Sequence, residues 1–321
     1  MISLDDVCLF GARLARPECV LATSAGDLFA ADRRGGVSHI LPDGTQRLYV
    51  GGTLDLPGPL HPNGIALERD GSFTVAHLGE NEGGVYRLTR NGALTPILQR
   101  LDGEDLTAVN FVLRDHQDRL WVTISTRQRP RMKAFSPHVA DGYIVLIDAR
   151  GARIVADGFG FTNEVRVDPA GTTLHVVETY ARKLTRFAIG PDGSLSQRTT
   201  VTEFGPGEFP DGLALDAEGG VWVTCLVTNR LVRVMPDGRR ETVLEDGDPA
   251  YAEEVEAAYR AGQMQKAHID KVRSRKLANI ASLAFGGPDL CTVYLGVLLG
   301  DRLPMFRSPV PGLPMAHWHW R

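Results

Sequence analysis

The sequence predicts an all-β protein, a six-bladed β-propeller with four strands in each blade. Three observations carry that prediction. A strand–turn–strand motif recurs six times along the 321 residues, most copies are followed by a second hairpin, and their spacing is that of propeller blades.

The motif is clearest in EFPDGLALDAEGGVWVT, residues 208–224. Apolar residues alternate at Leu213 and Leu215, the chain turns at Glu218-Gly219-Gly220, and it returns through Val221, Trp222 and Val223. A period of two marks the strands, and glycine supplies the turn backbone. Matching copies occupy residues 17–32, 62–77, 109–124, 162–177 and 210–225, with a degenerate sixth at 280–296. Second hairpins follow in GVSHILPDGTQRLYV, GVYRLTRNGALTPIL, KLTRFAIGPDGSLSQRT and RLVRVMPDGRRETVL. The second residue of each copy falls at 18, 63, 110, 163, 211 and 281, so the gaps are 45, 47, 53, 48 and 70.

The two long gaps locate insertions. The first holds TRQRPRMKAFSPHVADG, a polar, Pro-containing excursion within the third repeat. The second holds residues 249–276, rich in helix formers, with Tyr251, Val255, Tyr259 and Met264 near helical spacing. One helix or two short ones are expected there, serving as a solvated rim, a lid or a dimer contact. Residues 4–10, LDDVCLF, are expected to complete the sixth blade, and the Pro-rich tail is expected to pack across an edge. The whole chain, 1–321, reads as one domain.

Composition narrows the function classes. A net charge of −4, with no block of five like charges, offers nothing to nucleic acid or an anionic membrane. There is no apolar run of membrane-spanning length, and the first residues lack the features of a signal peptide. Cys8, Cys19, Cys225 and Cys291 have no metal or redox spacing, which suits reduced thiols in a cytoplasmic protein. The expected partner is a small-molecule substrate, and the expected state is a monomer or homodimer.

In a propeller, the starts of the innermost strands converge at one end of the axis. Here those positions carry Glu18, Asn63, Asn110, Asn163, Asp211 and Ala281. A single Asn or Asp before Gly is an ordinary turn residue. Five oxygen-bearing side chains in register instead suit a divalent cation, Ca²⁺ first, then Mg²⁺ or Mn²⁺, better than a structural zinc. His61, His77, Phe111 and Tyr180 fall near the ring in the repeat register and are candidates for touching substrate. Cys19 has no His placed to activate it, Trp121 and Trp222 read as blade packing, and His317 and His319 read as part of an aromatic tail anchor.

These segments also resemble the senescence-marker-protein, gluconolactonase and luciferin-regenerating-enzyme family. The resemblance rests on Glu18 in RPECV, Asn163 in FTNEVRVDPAGTTLHVVET, Asp211 in PDGLALDAEGGVWVT, and SLAFGGPDLCTVYLG. It implies one divalent metal, with Zn²⁺ among the possible ions, held by Glu18, Asn163 and Asp211. It further implies Asp211 as catalytic general base and Asn110 beside the metal, with Asn63 matching some branches only. Metal-dependent hydrolysis of a lactone or related ester is the activity it points to. Two departures bear on the substrate. Ala108-Val109-Asn110-Phe111 stands where the family often has Arg-Pro-Asn-Asp, so an arginine that helps hold sugar lactones is missing, and Pro17-Glu18-Cys19-Val20 replaces Gly-Glu-Gly/Ser-Pro. The residues alone therefore leave three alternatives: a phosphotriester or fluorophosphate hydrolase, a tailoring enzyme reusing the metal pocket, and a non-catalytic binding propeller.

Overall fold

A computed structural model describes residues 1–52 and 58–320. Six four-stranded antiparallel sheets follow one another along the chain, each numbered outward from its innermost strand. Blade one begins at Val20–Ala22, blade two at Pro62–Leu67, blade three at Val109–Arg114, blade four at Thr162–Val167, blade five at Glu208–Leu215 and blade six at Ile280–Gly286. Cys8–Phe10 forms the outermost strand of blade six, with Cys8 opposite Met305 and Phe10 opposite Leu303. The ring thus closes through the two ends of the chain, as expected for residues 4–10, and the sixth blade gains a partner for its exposed edge.

The predicted hairpins recur with one refinement. In blades two to six the innermost strand carries a register shift at the ring position: Pro62 to Ile65, Val109 to Phe111, Thr162 to Val165, Pro210 to Leu213, and Ile280 to Ser282. A bulge re-aims one side chain out of the alternation. It therefore frees Asn63, Asn110, Asn163 and Asp211 from the sheet faces. Gly64 and Gly212 lie inside these bulges, where an added Cβ would stand 2.6 Å from Phe111 Cα and 2.4 Å from Ala281 O. The glycines of PNG and PDG thus serve close approach between neighbouring blades, where the sequence alone suggested a turn.

Apolar residues of adjacent blades interleave into the core. Trp121 and Trp222 are fully buried and behave as blade-packing residues; each indole N–H donates at 2.8 Å to an aspartate of its own blade, Asp115 and Asp216 respectively. Truncating a buried tryptophan of this kind costs about 3–5 kcal/mol. Two helices, Pro249–Arg260 and Lys266–Asp270, form within the 249–276 insertion. Asp248 caps the first by accepting from the backbone of Ala250 and Tyr251, and Val255 and Tyr259 are buried beneath it. Met264 is buried beyond its end.

The tail differs from expectation. It crosses the end of the channel where the first and second strands turn, not a blade edge. Leu313 N donates to Leu215 O, His116 meets Pro314 O, and Ser24 N donates to Trp318 O. Trp318 is buried and His317 half-buried there, and Trp320 packs on Phe29 and Arg90. The aromatic anchor is present, set across an end because the turns of blades five, six and one offer it backbone partners. Among the described residues no helix is long and apolar enough to cross a membrane.

Candidate active site

At the opposite end of the axis lies a narrow pocket, lined by Arg16, Glu18, Asn110, Arg131, Asn163, Thr179, Tyr180 and Asp211 on its polar side. Leu78, Phe135, Phe161, Leu226, Ile269 and Leu298 supply the apolar side. Four of the five oxygen-bearing ring positions line the pocket directly. Asn63 stands just behind, donating to Asn110 O at 3.1 Å and Oδ1 at 3.3 Å, and accepting from Arg16 at 3.2 Å.

The hydrogen bonds at the ring leave oxygen atoms free. Asn163 donates through Nδ2 to Thr179 Oγ1 at 3.0 Å and to Asp211 Oδ1. Among the described residues nothing donates to its carbonyl Oδ1. Arg16 Nη2 lies 2.6 Å from Glu18 Oε2, yet outside hydrogen-bonding alignment, so Oε2 is buried without a donor. Burial pushes the Asp211 carboxyl well above the usual carboxylate range, and the charges of Glu18 and Glu164 push it further. Glu164 is itself raised to about 7 by burial, against the opposing pull of Arg166 2.9 Å away. Two buried carboxylates that repel one another, with Arg16 against Glu18, and a free amide oxygen are a donor set that fits a hard divalent cation. Among the described residues no three His, Cys, Asp or Glu side chains are placed to hold a metal ion by themselves, so the fit requires the Asn163 oxygen.

Tyr180 joins Phe135 and Phe161 in an aromatic wall, with ring centroids 4.8 and 4.9 Å from its own. His61 lines the outer mouth of the pocket beside Arg33 and Glu80. His77 is not on the wall: its Nδ1 accepts from the backbone of His61 at 3.0 Å, and burial lowers its pKa to about 4. Phe111 is not on the wall either. It is buried against Gly64 and beneath the Arg166 guanidinium, 4.9 Å from its ring centroid. Cys19 sits in the core with its thiol 3.8 Å from Ile65 O, and burial pushes that thiol up, away from nucleophilic use.

Sequence reasoning missed Arg16, Arg131, Phe135, Lys266 and Ile269. Arg131 and Phe135 come from the excursion in the third repeat, and Lys266 and Ile269 from the short helix of the second insertion. A topological signal was available. The third-blade excursion joins a second strand to a third, and the helical insertion joins one blade to the next. In an antiparallel blade both connections emerge where the innermost strands begin, at the ring end.

The family model described as the SMP-30/gluconolactonase/LRE-like region matches residues 17–246, stopping just before the helical insertion. The 6-deoxy-6-sulfogluconolactonase of Pseudomonas putida is 27% identical over 247 residues, covering 76% of this chain and 70% of that protein. A gluconolactonase of Xanthomonas campestris has a similar fold, with a TM-score of 0.65 at 17% identity over 94% of this chain and 88% of that one. Regucalcin of Agrobacterium tumefaciens, a calcium-binding protein, gives 0.66 at 17% identity over 94% and 92%. The repeated blade, the Glu18–Asn163–Asp211 register and the match across residues 17–246 agree: this chain belongs to the SMP-30/gluconolactonase/LRE-like family.

Proposed function

We propose that this protein is a metal-assisted hydrolase that opens a lactone or a closely related ester. The observation carrying the reading is the convergence of Glu18, Asn163 and Asp211 on one pocket, with Glu18 Oε2 and the Asn163 carbonyl oxygen lacking donors. The relatives support the substrate class, since two of them are lactonases by name, and the regucalcin neighbour supports calcium as the ion. Glu18, Asn163 and Asp211 would hold the cation, which supplies Lewis acidity toward a carbonyl oxygen and compensates the two carboxylates. Free cysteines, among them the exposed Cys8, support a reducing cytoplasmic setting.

The chain's own residues account for the rest. Asp211, its charge compensated, takes a proton from the attacking water as the water oxygen bonds to the lactone carbonyl carbon. The ring C–O bond then breaks, and the same proton passes from Asp211 to the departing oxygen, leaving an open hydroxy acid. Asn110 accepts from Asn63 through its oxygen, so its amide N–H groups are available to orient the substrate. Phe135, Phe161 and Tyr180 hold the hydrocarbon face of the ring and limit bulk water. Hydrolysis of a panel of lactones, aryl esters and phosphotriesters, followed by acid release, tests the reading. Lactone opening that disappears on chelation and returns with Ca²⁺ is expected; undiminished turnover by metal-free protein, or preference for phosphotriesters, would overturn it.

A further inference from the structure

The mouth of the pocket, above the ring, is basic. Arg16, Arg33, Arg131 and Lys266 line it, opposed by Glu80 and Asp270. Two of these cations are already matched. Lys266 pairs with Asp270 one helical turn away, and Arg16 is held by Glu18 and Asn63. Arg33 is exposed to solvent. Arg131 differs from all three. It is half-buried in the turn Arg131–Ala134, lines both the inner pocket and its mouth, and among the described residues its guanidinium makes no ion pair or hydrogen bond.

A half-buried guanidinium with no protein acceptor is only partly solvated, and Arg16 beside it adds repulsion. Glu18 and Glu80 attract Arg131 only from beyond ion-pair distance. Arg16 is itself held at φ 48°, in the left-handed region that a branched or long side chain seldom adopts, so its placement is over-determined by its surroundings. Two forked, permanently charged donors therefore face one pocket, and one of them has all its donors free. The planar fork of arginine matches the oxygens of a carboxylate, sulfonate or phosphate.

We propose that Arg131, supported by Arg16, is a subsite for an acidic substituent of the substrate, so that the lactone opened here carries a second, non-reacting anionic group. This rests on the lactonase reading above. The ring carboxylates repel an anion, so the group sits toward the mouth while the reacting carbonyl lies deeper. The arginine absent from position 108 is thus replaced from another element, by a residue suited to charge more than to hydroxyl groups.

The test compares matched δ-lactones bearing a sulfonate, a carboxylate, a phosphate or no charge at the carbon remote from the ester, with wild-type, Arg131→Ala and Arg131→Lys proteins. Wild type is expected to favour one of the anionic lactones by about 10-fold or more in kcat/KM. Arg131→Ala should reduce that preference about 10- to 100-fold, mainly through KM, and Arg131→Lys should restore part of it. The favoured arm names the anion. Absence of any preference in wild type, or equal losses on charged and uncharged lactones, overturns the proposal. Should no lactone be opened at all, calorimetry with sulfate, methanesulfonate, acetate and phosphate separates the two readings. Binding by wild type that Arg131→Ala loses keeps the anion subsite and removes the lactonase; binding unaffected by the substitution, or absent, removes the subsite.

Discussion

Carboxylates stand at both ends of the propeller axis, and they are treated differently. At the turn end, Asp115 and Asp216 occupy equivalent places in blades three and five. Asp216 accepts from Glu218 N at 2.9 Å, Gly220 N at 2.8 Å, Trp222 Nε1 at 2.8 Å and Arg233 Nε at 2.7 Å. Asp115 repeats the pattern with Gln117 N, Arg119 N, Trp121 Nε1 and Arg119 Nε. Burial alone would raise the Asp216 carboxyl, but these donors outweigh it and hold the group below the usual carboxylate range. At the ring end, Asp211 accepts, among the described residues, only from Asn163 and faces the charges of Glu18 and Glu164. One end spends its carboxylates on closing turns, and the other leaves them with few hydrogen-bond donors. The difference marks the ring end as the place where a ligand completes the structure.

The largest effect is expected from Asp211→Asn. Lactone turnover should fall about 10²- to 10⁴-fold, since the base is lost while its shape remains. In metal-free protein the same substitution should raise the melting temperature, by the equivalent of about 0.5–2 kcal/mol, because it removes a buried repelling charge. Activity and stability moving in the same direction would count against the functional account of this end.

Calcium should stabilise the wild-type protein by about 2.7 kcal/mol at a concentration one hundred times its dissociation constant. Glu18→Gln should remove most of that gain, as followed by thermal melting with and without the ion. A full calcium response in Glu18→Gln would mean that the ion binds elsewhere.

Next in size is Asp216→Ala at the turn end, which strands the Trp222 indole N–H and the Arg233 guanidinium. A loss of about 1–3 kcal/mol in denaturant midpoint is expected, with turnover per folded molecule preserved. The two ends should also answer pH with opposite signs. The stabilising contribution of Asp216 is complete above the ordinary carboxylate range and is lost as pH falls through its lowered folded value. In metal-free protein Asp211 behaves inversely: its contribution is complete below the ordinary range and declines as pH rises toward its elevated folded value. Difference titrations of stability for Asp216→Asn and Asp211→Asn against wild type would expose the two slopes, and slopes of the same sign would erase the contrast.

The smallest effect probes the insertion. Tyr259 donates its hydroxyl to the backbone oxygen of Tyr180, tying the first helix to the aromatic wall. Tyr259→Phe should cost about 1 kcal/mol of stability and slow turnover modestly through a looser wall, measured by urea denaturation alongside lactone KM. An unchanged KM would separate the first helix from the pocket and leave only Lys266–Asp270 in contact with it.

Much of the fold was written in local pattern. The period of two, the Asp- and Gly-rich turns and the recurring spacing are properties of neighbouring residues, so six blades, their strand count and the ring register of Glu18, Asn163 and Asp211 could be read directly. Adjacent positions were less transparent. Phe111 follows Asn110 in the chain, but strand alternation turns it away from the pocket to pack on Gly64. His77 likewise spends its Nδ1 on the backbone of His61.

What only the tertiary structure decided concerns segments without period. Which residues of the third-blade excursion reach the axis, where Lys266–Asp270 lies, and that the tail seals the turn end all depend on contacts between residues far apart in sequence. The bulges that free the ring side chains are of the same kind, since they answer the close approach of the next blade at Gly64 and Gly212. By itself the sequence determined the propeller and the oxygen-rich ring, because repetition and alternation are local. The wall around that ring, with Arg131 unpaired at its mouth, was decided by long-range packing, which no local pattern encodes.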